Sequence, residues 1–237
     1  MKDAIRANFD ESPDAYERYE RRTGRFEALA DRLYDELTRA ARLVDSLLDA
    51  GAGSGISTRV FDGRGVATVA LDLSARMLRE CATVPTVQAD FDHLPFARDA
   101  FDAVAFTASL FLSPDPGRAA REARRVLRPG GAVGAVAPLG WTTDDGEDVF
   151  ASLARDSRSP TSVGAVKDAL DAVFDVESGT WAFRTTAADL RAFYTIPAMS
   201  ARLYPGLAAD ERVRRAGALL EAVEGPLEQR WRWFVGV

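Results

Sequence analysis

The chain has 237 residues, 47% of them hydrophobic and 28% charged, which excludes a disordered composition and allows one large domain with an ordinary core. Its formal charge of -6 argues against a general nucleic-acid binder, because phosphate contacts need clustered basic residues. A single cysteine, Cys81, excludes an internal disulfide, and with one histidine, His93, no Cys/His zinc set can be assembled.

No run approaches the eighteen or so apolar residues of a membrane span, and "MKDAIRANFDESPDAYERYE" has no apolar centre of the signal-peptide kind. A soluble cytoplasmic protein is therefore the expectation. Of the 30 basic residues only Lys2 and Lys167 are lysine, so the basic side is almost wholly arginine.

Phe26, Leu29, Leu33, Leu37 and Ala41 recur at three- and four-residue spacing, which predicts an amphipathic helix within 25–44 leading into a first strand, "LVDSLLD". Strand and helix then alternate. "GVATVALD" (65–72) precedes a helix over "SARMLREC", "VPTVQAD" (84–90) follows, and "FDAVAFTASLFL" (101–112) precedes a helix over "DPGRAAREARRVL". "GGAVGAVAPL" (130–139) is the fifth strand. Alternation of this kind predicts a parallel sheet covered on both faces. Ser74 is placed as an N-cap, Asp115-Pro116 as a cap and first-turn proline, and Pro129-Gly130-Gly131 as a helix end.

Beyond residue 140 the pattern changes. The stretch 141–170 reads as helix, loop and helix, and two strands follow, 174–185 and 227–237, about forty mostly helical residues apart. In the last of them Trp231, Trp233 and Val235 alternate with Arg230, Arg232 and Phe234, as in a half-buried strand. The expected class is α/β: a Rossmann-like, doubly wound, mostly parallel seven-stranded sheet with an antiparallel last strand. It carries a helical N-terminal cap (1–43), a cofactor-binding core (44–140) and a lid insertion (186–226), all in one domain.

The informative stretch is "LLDAGAGSGIST", residues 47–58. A P-loop would need a lysine after the glycines, and none is near. A dinucleotide site usually shows G-x-G-x-x-G without an acid at the strand end, whereas the spacing here is D-x-G-x-G-x-G. A carboxylate at that mouth is unfavourable to pyrophosphate and favourable to a cation. S-adenosylmethionine carries an ammonium and a sulfonium, and glycines admit close backbone approach. Asp72, ending the second strand, is placed to accept from ribose hydroxyls, and Asp90, after the third, from an adenine amine with Phe91 packing nearby. Asp49 and Asp72 also have plainer readings as helix caps.

"LLDAGAGSG", "VALDLSARML", "ADFDHLPFARDAFDAV" and "EARRVLRPGGAV", in this order over residues 45–136, resemble the class I S-adenosylmethionine-dependent methyltransferases. The resemblance is to the small-molecule branch that includes the ubiquinone/menaquinone and malonyl-carrier-protein enzymes. It implies S-adenosyl-L-methionine as cofactor and S-adenosyl-L-homocysteine as product. It also implies Asp49, Gly51, Gly53 and Gly55 at the methionine end, Asp72 and Leu73 at the ribose, Asp90 and Phe91 at adenine, and Thr107 beside the methyl group. "FDESPDAYERYE" looks like that branch's opening segment, with Tyr16 closing over the cofactor. Met77 is a cofactor-binding candidate as well as a packing residue beside Leu78 and Cys81.

The acceptor is expected to be a small molecule, held by parts outside these motifs. Trp141 after the fifth strand, and Phe193, Tyr194 and Met199 in the aromatic insertion, are the candidate substrate-binding residues, although each would serve equally as packing. His93 sits where the motif varies and reads as surface or lid packing, and the arginines of "REARRVLRP" as a solvated helix face. No catalytic base stands out. Binding of the cofactor without methyl transfer, and methylation of RNA or protein, are the competing readings.

Overall fold

The structure, a computed structural model, describes residues 2–81, 84–151, 153 and 163–237. It begins with helices α1 (Lys2–Asp10), α2 (Pro13–Thr23) and α3 (Arg25–Ala40), then β1 (Ser46–Ala50), α4 (Ile56–Gly63), β2 (Ala67–Asp72), α5 (Ala75–Leu78) and β3 (Thr86–Gln88). There follow β4 (Phe101–Phe106), a 3-10 turn (Leu110–Leu112), α6 (Pro116–Val126) and β5 (Leu127–Thr143). The chain ends with α7 (Val163–Asp171), β6 (Val176–Thr186), α8 (Ala187–Tyr194), α9 (Pro197–Ser200), α10 (Ala209–Leu219) and β7 (Pro226–Gly236).

The strands form one seven-stranded sheet in the order β3-β2-β1-β4-β5-β7-β6. β1 pairs in parallel with β2 and β4, which places Asp49 opposite both Ala70 and Ala105. Only β7 runs against its neighbours, pairing antiparallel with both β5 and β6. The predicted doubly wound sheet with an antiparallel last strand is the one observed. Its order reverses at β1 and β4, where open α/β sheets form a crevice at the strand ends.

Both faces are covered. Leu29, Leu33 and Leu37 of α3 are wholly buried on one face with Leu47, Val136 and Trp231, and Ala119, Ala123 and Val126 of α6 are buried on the other with Val104, Val133 and Leu170. Each such leucine contributes about 1.5–3 kcal/mol by leaving water, so the three-four spacing seen in the sequence is the stripe that seats α3. No helix among the described residues is long and apolar enough to cross a membrane.

Four boundaries differ from expectation. The fourth strand stops at Phe106 because Ala108 takes a left-handed φ of 58°, which breaks the ladder before the 3-10 turn. The helix expected over 74–81 is one turn, Ala75–Leu78, capped by Ser74. β5 starts at Leu127, opposite Phe101, and its register shifts across Pro129-Gly130-Gly131 before resuming at Ala132. It also runs on to Thr143, paired with Leu227, where a helix was expected. Residues 144–151 are turns, with Asp148 bridged to Thr142, and the part of that expected helix and loop at 152 and 154–162 lies outside the described residues. β7 alternates as a half-buried strand from Leu227 to Arg232 and then departs from it: Phe234 is as buried as Trp231, because its face meets the α7 side of the core, while Trp233 is only partly covered and stacks on Trp181 at 6.0 Å.

Candidate active site

β1 ends in Asp49, and the chain leaves the sheet through Gly51, Gly53 and Gly55, with φ of 83°, 57° and 83°. These are left-handed values that a side chain disfavours. Gly51 has a second constraint: a Cβ there would lie 2.3 Å from Ser109 Cβ and 3.1 Å from Phe91 Cζ. The turn is tied to β2, since the Gly51 and Ala52 N–H groups both donate to the Leu71 carbonyl, at 2.7 and 3.0 Å.

Asp49 is wholly buried, and its Oδ2 accepts from Ser57 Oγ and Thr58 Oγ1, both at 2.7 Å, in the first turn of α4. Burial pushes its carboxyl up to about 6, against the lowering effect of those two hydroxyls. Asp49 therefore stitches strand to helix from beneath the turn. Gly55 is likewise set back, its Cα face packed against Cys81 Sγ. Cys81 is buried with Ala52, Ala70 and Leu78, and burial raises its thiol, as for an inert core cysteine.

Above the turn is a cavity walled mainly by apolar side chains and backbone, with a few polar groups converging on it. It brings together Gly51, Gly53, Asp72, Leu73, Met77, Asp90, Phe91, Thr107 and Tyr16, nine of the eleven residues expected at the cofactor. Asp49 and Gly55 are the two it leaves out. Asp72 Oδ2 accepts from the Gly53 N–H at 2.9 Å and Oδ1 from the Ser74 N–H at 2.8 Å. Burial raises its carboxyl, opposed by these same N–H groups. Both the cap-like role and a place in the cavity wall thus belong to Asp72, and each oxygen keeps a second lone pair.

At the far end Asp90 Oδ1 accepts from the Asp92 N–H at 3.1 Å, and Oδ2 faces Lys2 Nζ at 2.6 Å. Phe91 lies edge-on to Phe106, with ring centroids 5.3 Å apart. The third zone is set by the break after β4. Thr107 is 7% exposed and its Oγ1 is buried without a partner. An unpaired buried hydroxyl in a cavity wall is a group waiting for a ligand. Tyr16 stands nearby, stacked on Phe9 at 6.1 Å and tilted against Phe26 at 5.4 Å. Burial drives its phenol well above the ordinary range, so it remains protonated.

The sequence reading missed the contribution of α1. Lys2, Ile5, Arg6 and Phe9 all line the cavity, as do Ser54, Ser57 and Ser109. The signal available was the one-sided placement of Ile5 and Phe9 in "KDAIRANFD". The candidate substrate residues are brought together, but elsewhere. Trp141, Phe193 and Met199 are buried in the α3-side core, and Phe193 touches Tyr19 at 5.3 Å, Trp141 at 5.8 Å and the half-buried Tyr194 at 5.2 Å. None of the four lines the cavity. His93 is exposed, paired with Arg118, and also outside it.

A sheet of this order, with the glycine turn and the acidic strand ends converging on one cavity, is a Rossmann-like α/β fold. Residues 48–134 match the family model described as "Methyltransferase domain". Over 106 residues it is 41% identical to the demethylmenaquinone methyltransferase of Mycolicibacterium paratuberculosis, a match covering 43% of this chain and 46% of that protein. The chain thus spans about half the length of the curated relative it matches. The YcgJ protein of Bacillus subtilis shares the fold, with a TM-score of 0.59 at 19% identity over 86% of this chain and 96% of that one. So does phosphoethanolamine N-methyltransferase 2 of Haemonchus contortus, solved with S-adenosylhomocysteine, with a TM-score of 0.53 at 16% identity over 87% of this chain and 52% of that one.

Proposed function

We propose that the chain is an S-adenosylmethionine-dependent methyltransferase acting on a small molecule. The observation that carries this is the convergence of Gly51, Asp72 and Asp90, which follow or end three different strands, on one cavity whose lining also holds the unpartnered Thr107 hydroxyl. The groups present fit the cofactor: two carboxylates for ribose hydroxyls and an adenine amine, and a glycine backbone that admits close approach of the amino-acid end.

When bound, S-adenosylmethionine supplies an already activated methyl group. The chain's own residues supply position and a dry setting. Asp72 orients the ribose, Asp90 and Phe91 the base, and Gly51 with Gly53 let the backbone come close. Thr107 lines the same cavity as the packed rings of Phe9, Tyr16 and Phe26, which make that part of the wall apolar. The titratable residues among the described cavity lining are Lys2, Arg6, Tyr16, Asp72 and Asp90, with no histidine among them. Burial keeps the Tyr16 phenol protonated, so an acceptor that is nucleophilic without help from a protein base suits this lining best.

We assign residues 44–140 to cofactor binding and 1–43 to the roof of the cavity. In 186–226, Phe193 backs Tyr19, the Ala198 N–H donates to Ser12 Oγ at 3.0 Å, and Arg212 pairs with Glu11 at 3.0 Å. The insertion is therefore a buttress for the roof, and Trp141, Phe193, Tyr194 and Met199 act on the acceptor through it. A second reading, cofactor binding without transfer, is favoured by a described cavity lining that holds no histidine and a tyrosine kept protonated by burial. Titration calorimetry with S-adenosylhomocysteine, followed by methyl-labelled S-adenosylmethionine and a panel of phenols, amines and carboxylic acids, separates them: binding with label transfer supports the enzyme, binding alone the non-catalytic reading, and no binding sinks both.

A further inference from the structure

Asp90, the carboxylate assigned above to the adenine amine, is already engaged. Its Oδ1 accepts from the Asp92 N–H, and its Oδ2 holds the Lys2 ammonium at 2.6 Å. Lys2 is shared: it also contacts Asp92 Oδ2. Asp92 is 8% exposed and its Oδ1 is buried with no partner, so this carboxylate has acceptor capacity in reserve directly beside the ammonium. Burial pulls the Lys2 ammonium down, but its hydrogen bonds to Asp90 and Asp92 and their charges outweigh this and leave it above the ordinary lysine value. It is a fixed cation between two acids.

Lys2 opens α1, which supplies Ile5 and Phe9 to the cavity wall yet contains no fully buried residue. Its polar anchors are few. Lys2 is one, and Asp10, which accepts from Ser74 Oγ at 2.5 Å, is another. A helix held by partly exposed polar contacts belongs to the low-stability end of a fold, where local opening is cheap.

We propose that Lys2 is a specificity-determining latch: it ties α1 across the cavity by bridging Asp90 and Asp92, and an incoming adenine amine takes Asp90 while Lys2 is retained by Asp92. The base is thereby selected by exchange. A nucleoside whose six-position donates can replace the ammonium on Asp90, whereas one whose six-position only accepts cannot. Asp92 is the positioning residue, and its spare oxygen is what allows Lys2 to move without losing its partner. This rests on the cofactor reading above.

The test uses the full chain with Lys2→Met, which keeps the stem and removes the charge, and Asp92→Asn, which removes the second negative charge that would retain Lys2. Two readouts are needed: hydrogen exchange of amides 6–10 in ligand-free protein, and calorimetric affinity for S-adenosylhomocysteine. In both variants α1 should exchange faster. Lys2→Met should bind S-adenosylhomocysteine about two- to fivefold more tightly, the range of a partly exposed ion pair, and Asp92→Asn should bind it more weakly because Lys2 is left wholly on Asp90. Unchanged exchange overturns the tether, and weaker binding by Lys2→Met overturns the displacement, since Lys2 would then be a ligand contact. Failure of the unaltered protein to bind S-adenosylhomocysteine sinks the cofactor reading and the displacement with it, and the exchange comparison then decides the tether alone.

Discussion

Asp72 accepts the Gly53 N–H at 2.9 Å, so the carboxylate that ends β2 also pins the turn that follows β1. Two strand ends are thereby set relative to each other before any ligand arrives. Asp72→Ala should therefore do two things: abolish S-adenosylhomocysteine binding, and lower stability by about 1–3 kcal/mol through the orphaned Gly53 and Ser74 N–H groups. Denaturant unfolding and calorimetry measured on the same variant check both. Loss of binding with unchanged stability would mean that the two hydrogen bonds carry no structural weight.

The buried Asp49 makes stability depend on pH in a defined direction. Its carboxyl is raised from 3.8 to about 6, so the folded state binds the proton that the unfolded chain has already lost. Its contribution is fully favourable below the unfolded value and is lost as pH rises through the folded one. The difference in unfolding free energy between Asp49→Asn and the unaltered protein should grow in the variant's favour between about pH 4 and pH 6, by about 2–3 kcal/mol, and be level above pH 7. Parallel slopes in urea titrations across that window would place the Asp49 carboxyl back near its ordinary value.

Gly51 has no room for a side chain. Gly51→Ala should cost about 1–3 kcal/mol from the left-handed backbone alone and more from the clash with Ser109. Adding Ser109→Gly removes the atom that a new Cβ would meet at 2.3 Å, so the double variant should recover the steric part and leave the backbone part. Strict additivity of the two substitutions, read by thermal unfolding, would show that the close approach is not what selects glycine.

Phe193 separates a buttress from a substrate contact. It is 4% exposed between Tyr19 and Trp141, so Phe193→Ala should cost about 3–5 kcal/mol and lower the Tm sharply. Affinity for S-adenosylhomocysteine, measured at a temperature where the variant remains folded, should change little. A variant of unaltered stability with impaired methyl transfer would instead place Phe193 against the acceptor.

Local signals in the sequence were enough for the sheet and for nine of the residues that line the cavity. Alternating apolar runs and capping residues such as Ser74 and Asp115 act over a few residues, and an acid at a strand end is carried to the sheet edge by the strand itself. Hence Asp72, Asp90, Gly51 and Thr107 were identifiable before their surroundings were. What needed the tertiary structure was anything decided by packing between distant segments. Asp49 and Gly55 lie inside the motif yet behind the cavity, because Ser57, Thr58 and Cys81 fold over them. Phe193 and Trp141 have the composition of a binding surface, but burial against Tyr19 turns them into core. Lys2 reaches Asp90 across nearly ninety residues, a contact that no spacing rule encodes, because ion pairs between separate elements depend on where the helices dock and not on the order in which the chain presents them.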